Sequence, residues 1–263
     1  MCIAANLPRS RLSTPASMDS ASAQIRHAMR VVEDLRQQLT TNASLARAVH
    51  EIKAIQARRF ACTYQDLLIS PVYKGCASFF LTELYSERDY GQRDRQFAKI
   101  ATAIELALPQ PVITTAVDLA RLHQVTETLD VAMAQHWLQE TTASLATRYQ
   151  LAWRALDRRT QRQWQLTTVV GIGEKLGELT RRRGLRLLLK MMRQPAEIAG
   201  LGELQSFLET GFDRFSQIAK SRETLNGFLG AINARESDWI DALDSADKAE
   251  AQALITNTFE RIP

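Results

Sequence analysis

The segment Val112–Gln139, VITTAVDLARLHQVTETLDVAMAQHWLQ, runs without glycine or proline. Large apolar side chains recur in it every three or four residues, the spacing that places them on one face of an α-helix. These residues are Leu119, Leu122, Val125, Leu129, Met133 and Trp137. The segment therefore predicts a long amphipathic helix that buries this stripe in the protein core.

The same spacing continues through most of the chain. Glycine and proline number only 11 and 7 in 263 residues, while the abundant alanine, leucine, glutamate and arginine all favour helix. We therefore expect an all-α fold, a single antiparallel bundle of seven to nine helices. The predicted helices cover residues 19–39, 42–70, 76–85, a segment ending at 108, 112–139, 145–192, 203–219, 222–243 and a short C-terminal segment.

The first residues differ from the rest of the chain. Residues 1–17 contain prolines and arginines but no apolar run of signal-peptide length. We expect residues 1–18 to be a disordered tail and residues 19–263 to form one helical domain, and we leave open whether translation starts at Met1 or Met18.

Composition also bears on location. No stretch approaches the roughly 20 apolar residues that a membrane-spanning helix needs. The three cysteines, Cys2, Cys62 and Cys76, form no C-x-x-C pair and leave one over in any pairing. We therefore predict a cytoplasmic protein without disulfide bonds.

The glycine-rich segment 171–177, GIGEKLG, resembles a nucleotide-binding loop in composition. A dinucleotide-binding loop needs a preceding strand and a fixed glycine spacing, and here the spacing differs and the flanks are helical. We interpret these glycines as sites of close helix packing or of a kink. P-loop, nucleophile-elbow and kinase motifs are absent from the sequence.

Charge is unevenly distributed along the chain. Residues 148–193 contain 12 Lys and Arg against 3 Asp and Glu, whereas residues 196–263 contain 6 against 12. Four cations share one helical stripe and are candidates for an anionic partner: Arg182, Arg186, Lys190 and Arg193. The alternative is a solvated face that the acidic C-terminal helices partly neutralise. Without interleaved aromatic residues or a known motif, we predict no specific nucleic-acid binding.

A polar stripe runs beside the core stripe of the 112–139 helix. His123, Glu127 and Asp130 lie on one helical edge, which alanines surround, so a neighbouring helix can come close. Glu83 lies among aromatic and aliphatic residues, and Arg93 or His123 could be its partner. These five residues form a candidate internal polar cluster. No Glu-x-x-His motif of a di-iron bundle occurs, so we predict no metal and no cofactor.

Several segments resemble an uncharacterised family of bacterial, all-helical proteins with an FFLxELY signature followed by D-[FY]-x-x-R-D. The first of these segments, 79–94, contains FFLTELY, Asp89-Tyr90 and Arg93-Asp94. The others are 122–130, 200–209 and Arg235-Glu236. The resemblance covers most of the chain after residue 20. It implies a single bacterial domain and carries no assigned activity.

Two function classes remain open. The segregated charge and the lack of a complete catalytic set favour a non-enzymatic interaction or regulatory module with a protein partner. The alternative is an enzyme or small-ligand-binding helical bundle with an internal pocket around Glu83, His123, Glu127 and Asp130. Oligomeric state stays open in both cases.

Overall fold

A computed structural model describes residues 19–83, 89–140, 144–245 and 249–261. These residues contain twelve helices and no strand, which confirms the all-α prediction. The helices are α1 (Ala21–Thr41), α2 (Ala43–Thr63), α3 (Gln65–Ile69), α4 (Lys74–Glu83), α5 (Gly91–Ala107), α6 (Gln110–Trp137), α7 (Leu145–Leu156), α8 (Arg159–Thr180), α9 (Arg183–Ile198), α10 (Gly202–Ile218), α11 (Arg222–Asp244) and α12 (Ala249–Phe259). The tail predicted at residues 1–18 lies outside the described residues.

The described residues hold more helices than the seven to nine expected, because two long predicted segments are interrupted. Residues 42–70 divide at Tyr64 into α2 and α3. Residues 145–192 divide into α7, α8 and the start of α9, and Asp157 ends α7 with a left-handed backbone, φ 47°. Pro195 lies inside α9, and the chain turns at Gly200, φ 71°.

Helix α6 is the central element of the assembly. It packs against α1, α2, α7 and α8. Its N-terminal half contributes Ile113 and Ala120 to an apolar cluster with α1 and α5, and its C-terminal half contributes Met133 and Trp137 to a cluster with α2 and α7. A third cluster joins α4, α10 and α11.

Helices α6 and α8 run antiparallel. Asp118 accepts a 2.5 Å bond from Lys175, and Thr126 accepts a 2.8 Å bond from Gln165. The partner on α8 moves back from residue 175 to residue 165 as the residue on α6 advances from 118 to 126, as expected for antiparallel helices. Polar residues early in α8 therefore lie beside the second half of α6.

The glycines of α8 mark a close helix contact, as the sequence indicated. A Cβ atom built on Gly173 would lie 2.5 Å from Cδ2 of Leu229, and one on Gly177 would also overlap the side chain of Leu225. Both leucines belong to α11. The interpretation as sites of close packing is confirmed at these two positions, whereas Gly171 and Gly184 face open space.

Within the described ranges, no helix combines the length and the apolar content needed to cross a membrane.

Candidate functional site

A cavity of about 390 Å³ lies between the helices. Sites for small molecules typically measure about 300–1,000 Å³, so this cavity is large enough for a ligand. All five residues of the candidate cluster line it: Glu83, Arg93, His123, Glu127 and Asp130. The sequence placed three of them on one helical edge, and the fold brings the other two to the same space.

The lining of the cavity changes character along α6. Val112, Ala116 and Leu119 line it in the first half of the helix, and His123, Glu127 and Asp130 line it from the middle of the helix onward. Val112 and Asp130 are separated by about 27 Å along the helix axis, at about 1.5 Å per residue. The cavity therefore has an apolar end and a polar end.

The antiparallel helix α8 shows the same change in reverse. Arg162 and Gln165 line the polar end, and Leu176 and Leu179 line the apolar end. Further apolar walls come from three other helices; these residues are Phe97, Ile100 and Ile104 of α5, Leu185, Leu188 and Leu189 of α9, and Leu204, Phe207, Leu208 and Phe212 of α10. The lining residues of α6 and of α8 therefore both place the polar end and the apolar end at the same positions in the cavity.

The partly buried His123 and the buried Asp94 form a pair at the polar end. Nε2 of His123 lies 2.8 Å from Oδ2 of Asp94, and Arg36 donates to the same oxygen. Burial alone would raise the pKa of Asp94, but the hydrogen bonds and charges of His123 and Arg36 outweigh it and hold that pKa below its ordinary value. Because an ionised carboxylate only accepts, Nε2 of His123 is the donor in this hydrogen bond.

Glu127 pairs with Lys53 of α2. Nζ of Lys53 lies 2.6 and 2.8 Å from the two carboxylate oxygens. Burial opposes the charge on Lys53, yet Glu127 and Asp130 together raise its pKa. This pair joins α2 to α6 across the polar end.

Asp130 has a different environment from the other carboxylates. It is 2% exposed, and its Oδ1 accepts a 3.0 Å bond from the side-chain amide of Gln56. Burial raises the pKa of Asp130, and the nearby positive charge of Lys53 only partly offsets that effect. The cavity thus holds two carboxyl groups, Asp94 and Asp130, whose pKa values shift in opposite directions.

Glu83 and Arg93 meet at the edge of the cavity. The guanidinium of Arg93 lies 3.5 Å from Oε2 of Glu83 and stands over the rings of Tyr90 and Phe207 at 3.9 and 4.4 Å from their centroids. Burial lowers the pKa of Arg93. Of the two partners considered for Glu83, Arg93 is the one that pairs with it in the structure.

The five candidates share a cavity but do not form one hydrogen-bonded cluster. His123, Glu127 and Asp130 each bond to a different residue on α5 or α2. The five candidates come from three helices, α4, α5 and α6. In the described part of the chain, no three His, Cys, Asp or Glu side chains stand close enough together to hold a metal ion.

Among the polar residues of this site that were missed at the sequence level are Arg36, Lys53, Gln56 and Asp94. A usable signal existed for three of them. Lys53 and Gln56 lie three residues apart beside the apolar stripe of α2, and Asp94 lies three residues before the buried Phe97. A polar residue at the edge of an apolar stripe is the same pattern that pointed to His123.

A second polar network fixes α11 beside the cavity. Arg59 donates to both carboxylate oxygens of Glu236, at 3.1 and 2.8 Å, and the hydroxyl of Tyr64 donates to the same carboxylate at 2.9 Å. Glu236 and Arg59 both line the cavity. This network ties α2 to α11 and closes one side of the polar end.

The basic stripe lies apart from the polar end. Arg186 pairs with Asp213 at 3.0 Å and Arg193 pairs with Glu209, both on α10. Arg182 and Lys190 are exposed. Two of the four cations are thus neutralised by acidic residues of a C-terminal helix, as the solvated-face alternative expected.

A family model described as a domain of unknown function, DUF8198, matches residues 35–250. The chain belongs to the DUF8198 family. The predicted resemblance to an uncharacterised family is thereby confirmed, while the bacterial origin stays a prediction. No curated protein and no solved structure matches the chain. In this family member, residues from each segment that carried the resemblance line the cavity, among them Phe79, Asp94, His123, Phe207 and Glu236.

Proposed function

We propose that this protein binds an amphipathic small molecule in the cavity between its helices. The observation that carries the proposal is the separation of the lining into an apolar end and a polar end. An apolar chain would lie along Leu119, Leu176 and Leu189, because transfer of hydrocarbon from water to such a surface is favourable. The polar group of the ligand would lie beside His123 and Asp130.

The pairing at the polar end suggests which chemical group the ligand presents there. Glu127 is neutralised by Lys53, and Asp94 is held by His123 and Arg36. Asp130 has an amide partner, and no ion pair with a described residue, so it is the carboxyl best able to take a further donor. We infer a head group that donates a hydrogen bond, such as an alcohol, an amide or an amine.

Binding is tested with a fluorescent apolar probe, anilinonaphthalene sulfonate, and its displacement by long-chain alcohols, amines and carboxylates. We expect saturable binding of one ligand per chain, with alcohols or amines displacing the probe better than carboxylates of equal length. Native mass spectrometry of the purified protein checks for a bound molecule. Absence of saturable binding would contradict the proposal.

The position of the ligand is tested by filling the apolar end. Leu119→Trp adds volume inside the cavity, and Leu119→Phe is a milder version; both should weaken binding by about tenfold or more, since overpacking costs about 1–3 kcal/mol. Leu106→Trp is the matched control, because Leu106 is 80% exposed on α5. Equal loss in the control variant would show that the effect is not specific to the cavity.

A second candidate function is acid–base catalysis on the same ligand. It is favoured by the opposite pKa shifts of Asp94 and Asp130, a pattern typical of sites in which one group takes a proton and another gives one. In its neutral form, His123 would act as a base through Nδ1, since Nε2 bonds to Asp94. Catalysis requires that His123→Gln abolish turnover of a bound ligand while its Kd changes little.

Two predictions about function and one about domain organisation remain proposals. We keep an interaction or regulatory role with a protein partner as a prediction supported by segregated charge, and a cytoplasmic location as one supported by cysteine usage. We also propose that residues 19–263 act as one domain, which is supported by the contribution of α6 to two apolar clusters.

A further inference from the structure

Helix α9 leaves an apolar stripe uncovered. Leu187, Met191 and Ile198 are 60%, 66% and 82% exposed, and Leu188 and Met192 are partly exposed beside them. The helix packs on the protein through Leu185, Leu189 and Ala196, which lie on its other side. Five of the 13 exposed large apolar side chains in the described residues thus belong to this one helix of 16 residues.

Cations border the exposed stripe. Lys190 lies about 60° from Leu187 around the helix axis, at about 100° per residue. Lys190 and Arg182 are exposed and form no ion pair within the described residues. Residues 181–193 contain six Lys and Arg and no Asp or Glu. The local charge around the stripe is therefore strongly positive, although Arg186 and Arg193 are paired.

Exposed leucine and methionine beside Lys and Arg is the arrangement of a helix that lies in the plane of a membrane surface. The apolar face enters the boundary between head groups and acyl chains, and the cations contact anionic lipid. A protein groove would cover the apolar stripe equally well, but the surrounding cations favour an anionic surface over a neutral one. Charge complementarity therefore favours a membrane surface with anionic lipids as the partner of this helix face.

We propose that α9 docks this protein onto the surface of a membrane that contains anionic lipids. The docking stands on the exposed face and does not depend on the cavity ligand. It has one consequence that rests on the proposed function: Leu185, Leu188 and Leu189 of the same helix line the apolar end of the cavity. Docking through α9 would bring that end next to the membrane, the natural source of a molecule with an apolar chain.

The experiment measures co-sedimentation of the full chain with vesicles of phosphatidylcholine, alone or mixed with phosphatidylglycerol. We expect binding to the mixed vesicles and much weaker binding to neutral ones. Leu187→Gln with Met191→Gln should reduce binding to mixed vesicles by about tenfold or more, because two apolar side chains no longer enter the interface. Arg182→Glu with Lys190→Glu should reduce binding selectively on the anionic vesicles.

A matched control uses equally exposed apolar residues elsewhere on the surface. Ile69→Gln with Leu106→Gln changes side chains that are 74% and 80% exposed on α3 and α5, and it should leave vesicle binding unchanged. All positions are on the surface, so circular dichroism should show native helix in each variant. Leu119→Trp should also bind vesicles normally, which separates docking from the cavity proposal.

Three results would overturn the proposal. One is absence of binding to the anionic vesicles; another is equal binding by the wild-type protein and the Leu187→Gln, Met191→Gln variant. The third is a concentration-dependent dimer in size-exclusion chromatography that the same variant abolishes while the wild-type protein ignores vesicles. That outcome would assign the stripe to a contact between two copies of the chain.

Discussion

Replacing Gly173 with alanine tests the close contact of α8 with α11. Alanine in a helix interior is favoured over glycine by about 1 kcal/mol, so the substitution should stabilise wherever space allows. At Gly173 the added Cβ would lie 2.5 Å from Cδ2 of Leu229, which is 3% exposed. Leu229 must shift within a packed core, at about 1–3 kcal/mol. We expect Gly173→Ala to destabilise the protein by about 0–2 kcal/mol after the gain in helix propensity is subtracted.

Gly171→Ala is the matched control on the same helix, since no atom lies within 4 Å of its added Cβ. It should stabilise by about 1 kcal/mol, which separates the two variants by roughly 1–3 kcal/mol, the cost of shifting Leu229. Urea unfolding followed by circular dichroism measures both free energies, and melting temperatures should differ by several degrees, at about 2–4 °C per kcal/mol. Equal stabilisation by both variants would refute the contact. A double-mutant cycle with Leu229→Ala should recover most of the loss at Gly173.

Three further predictions concern buried titratable groups. His123→Ala should lower the free energy of unfolding by about 1–3 kcal/mol, because it removes a hydrogen bond from a buried carboxylate; an unchanged melting temperature would argue against that bond. Stability as a function of pH should differ between the two shifted carboxyls. The pKa of Asp94 is lower in the folded protein than in the unfolded chain, so its charge stabilises the fold above the unfolded pKa. That stability is lost as pH falls through the folded pKa, so Asp94→Asn should make the free energy of unfolding depend less on pH in the acid range. The raised pKa of Asp130 means that its charge costs stability at neutral pH and that acidification removes the cost; Asp130→Asn should stabilise most at neutral pH, and a melting temperature that falls instead would contradict this assignment. Burial raises the pKa of Cys76 to about 12, so its thiol should react with Ellman's reagent much more slowly than that of the partly exposed Cys62, as peptide mass spectrometry would show, and equal rates would contradict its burial.

Helical periodicity predicted the elements of this fold well because it is a local property. The 112–139 segment carries its own stripe, and α6 spans Gln110–Trp137 in the structure. The breaks were harder to predict. Tyr64 separates α2 from α3, and its side chain bonds to Glu236, which is far away in the sequence. Asp157 ends α7 although it is neither glycine nor proline. A break of this kind depends on tertiary contacts, which periodicity does not contain.

The sequence likewise predicted only part of the site, the polar stripe on α6. The stripe of His123, Glu127 and Asp130 could be read from one helix, because the spacing of residues along α6 decides which side chains share an edge. Their partners could not, since Lys53 and Asp94 lie on helices whose packing against α6 the sequence leaves open. The cavity itself was also out of reach, because it depends on the volume that six or more helices leave between them.

Asp130 is the residue at which stability and function separate most clearly. The pairs Asp94–His123 and Glu127–Lys53 each satisfy a carboxylate with a positive or proton-donating partner, so a purely structural role explains them. Asp130 is buried with an amide partner, and its raised pKa records the cost of its charge. Groups that cost stability and lie in a cavity are expected at functional sites, where an unmet polar requirement is satisfied by the ligand. By this argument a donor group on the ligand should contact Asp130, and binding should stabilise the wild-type protein more than Asp130→Asn.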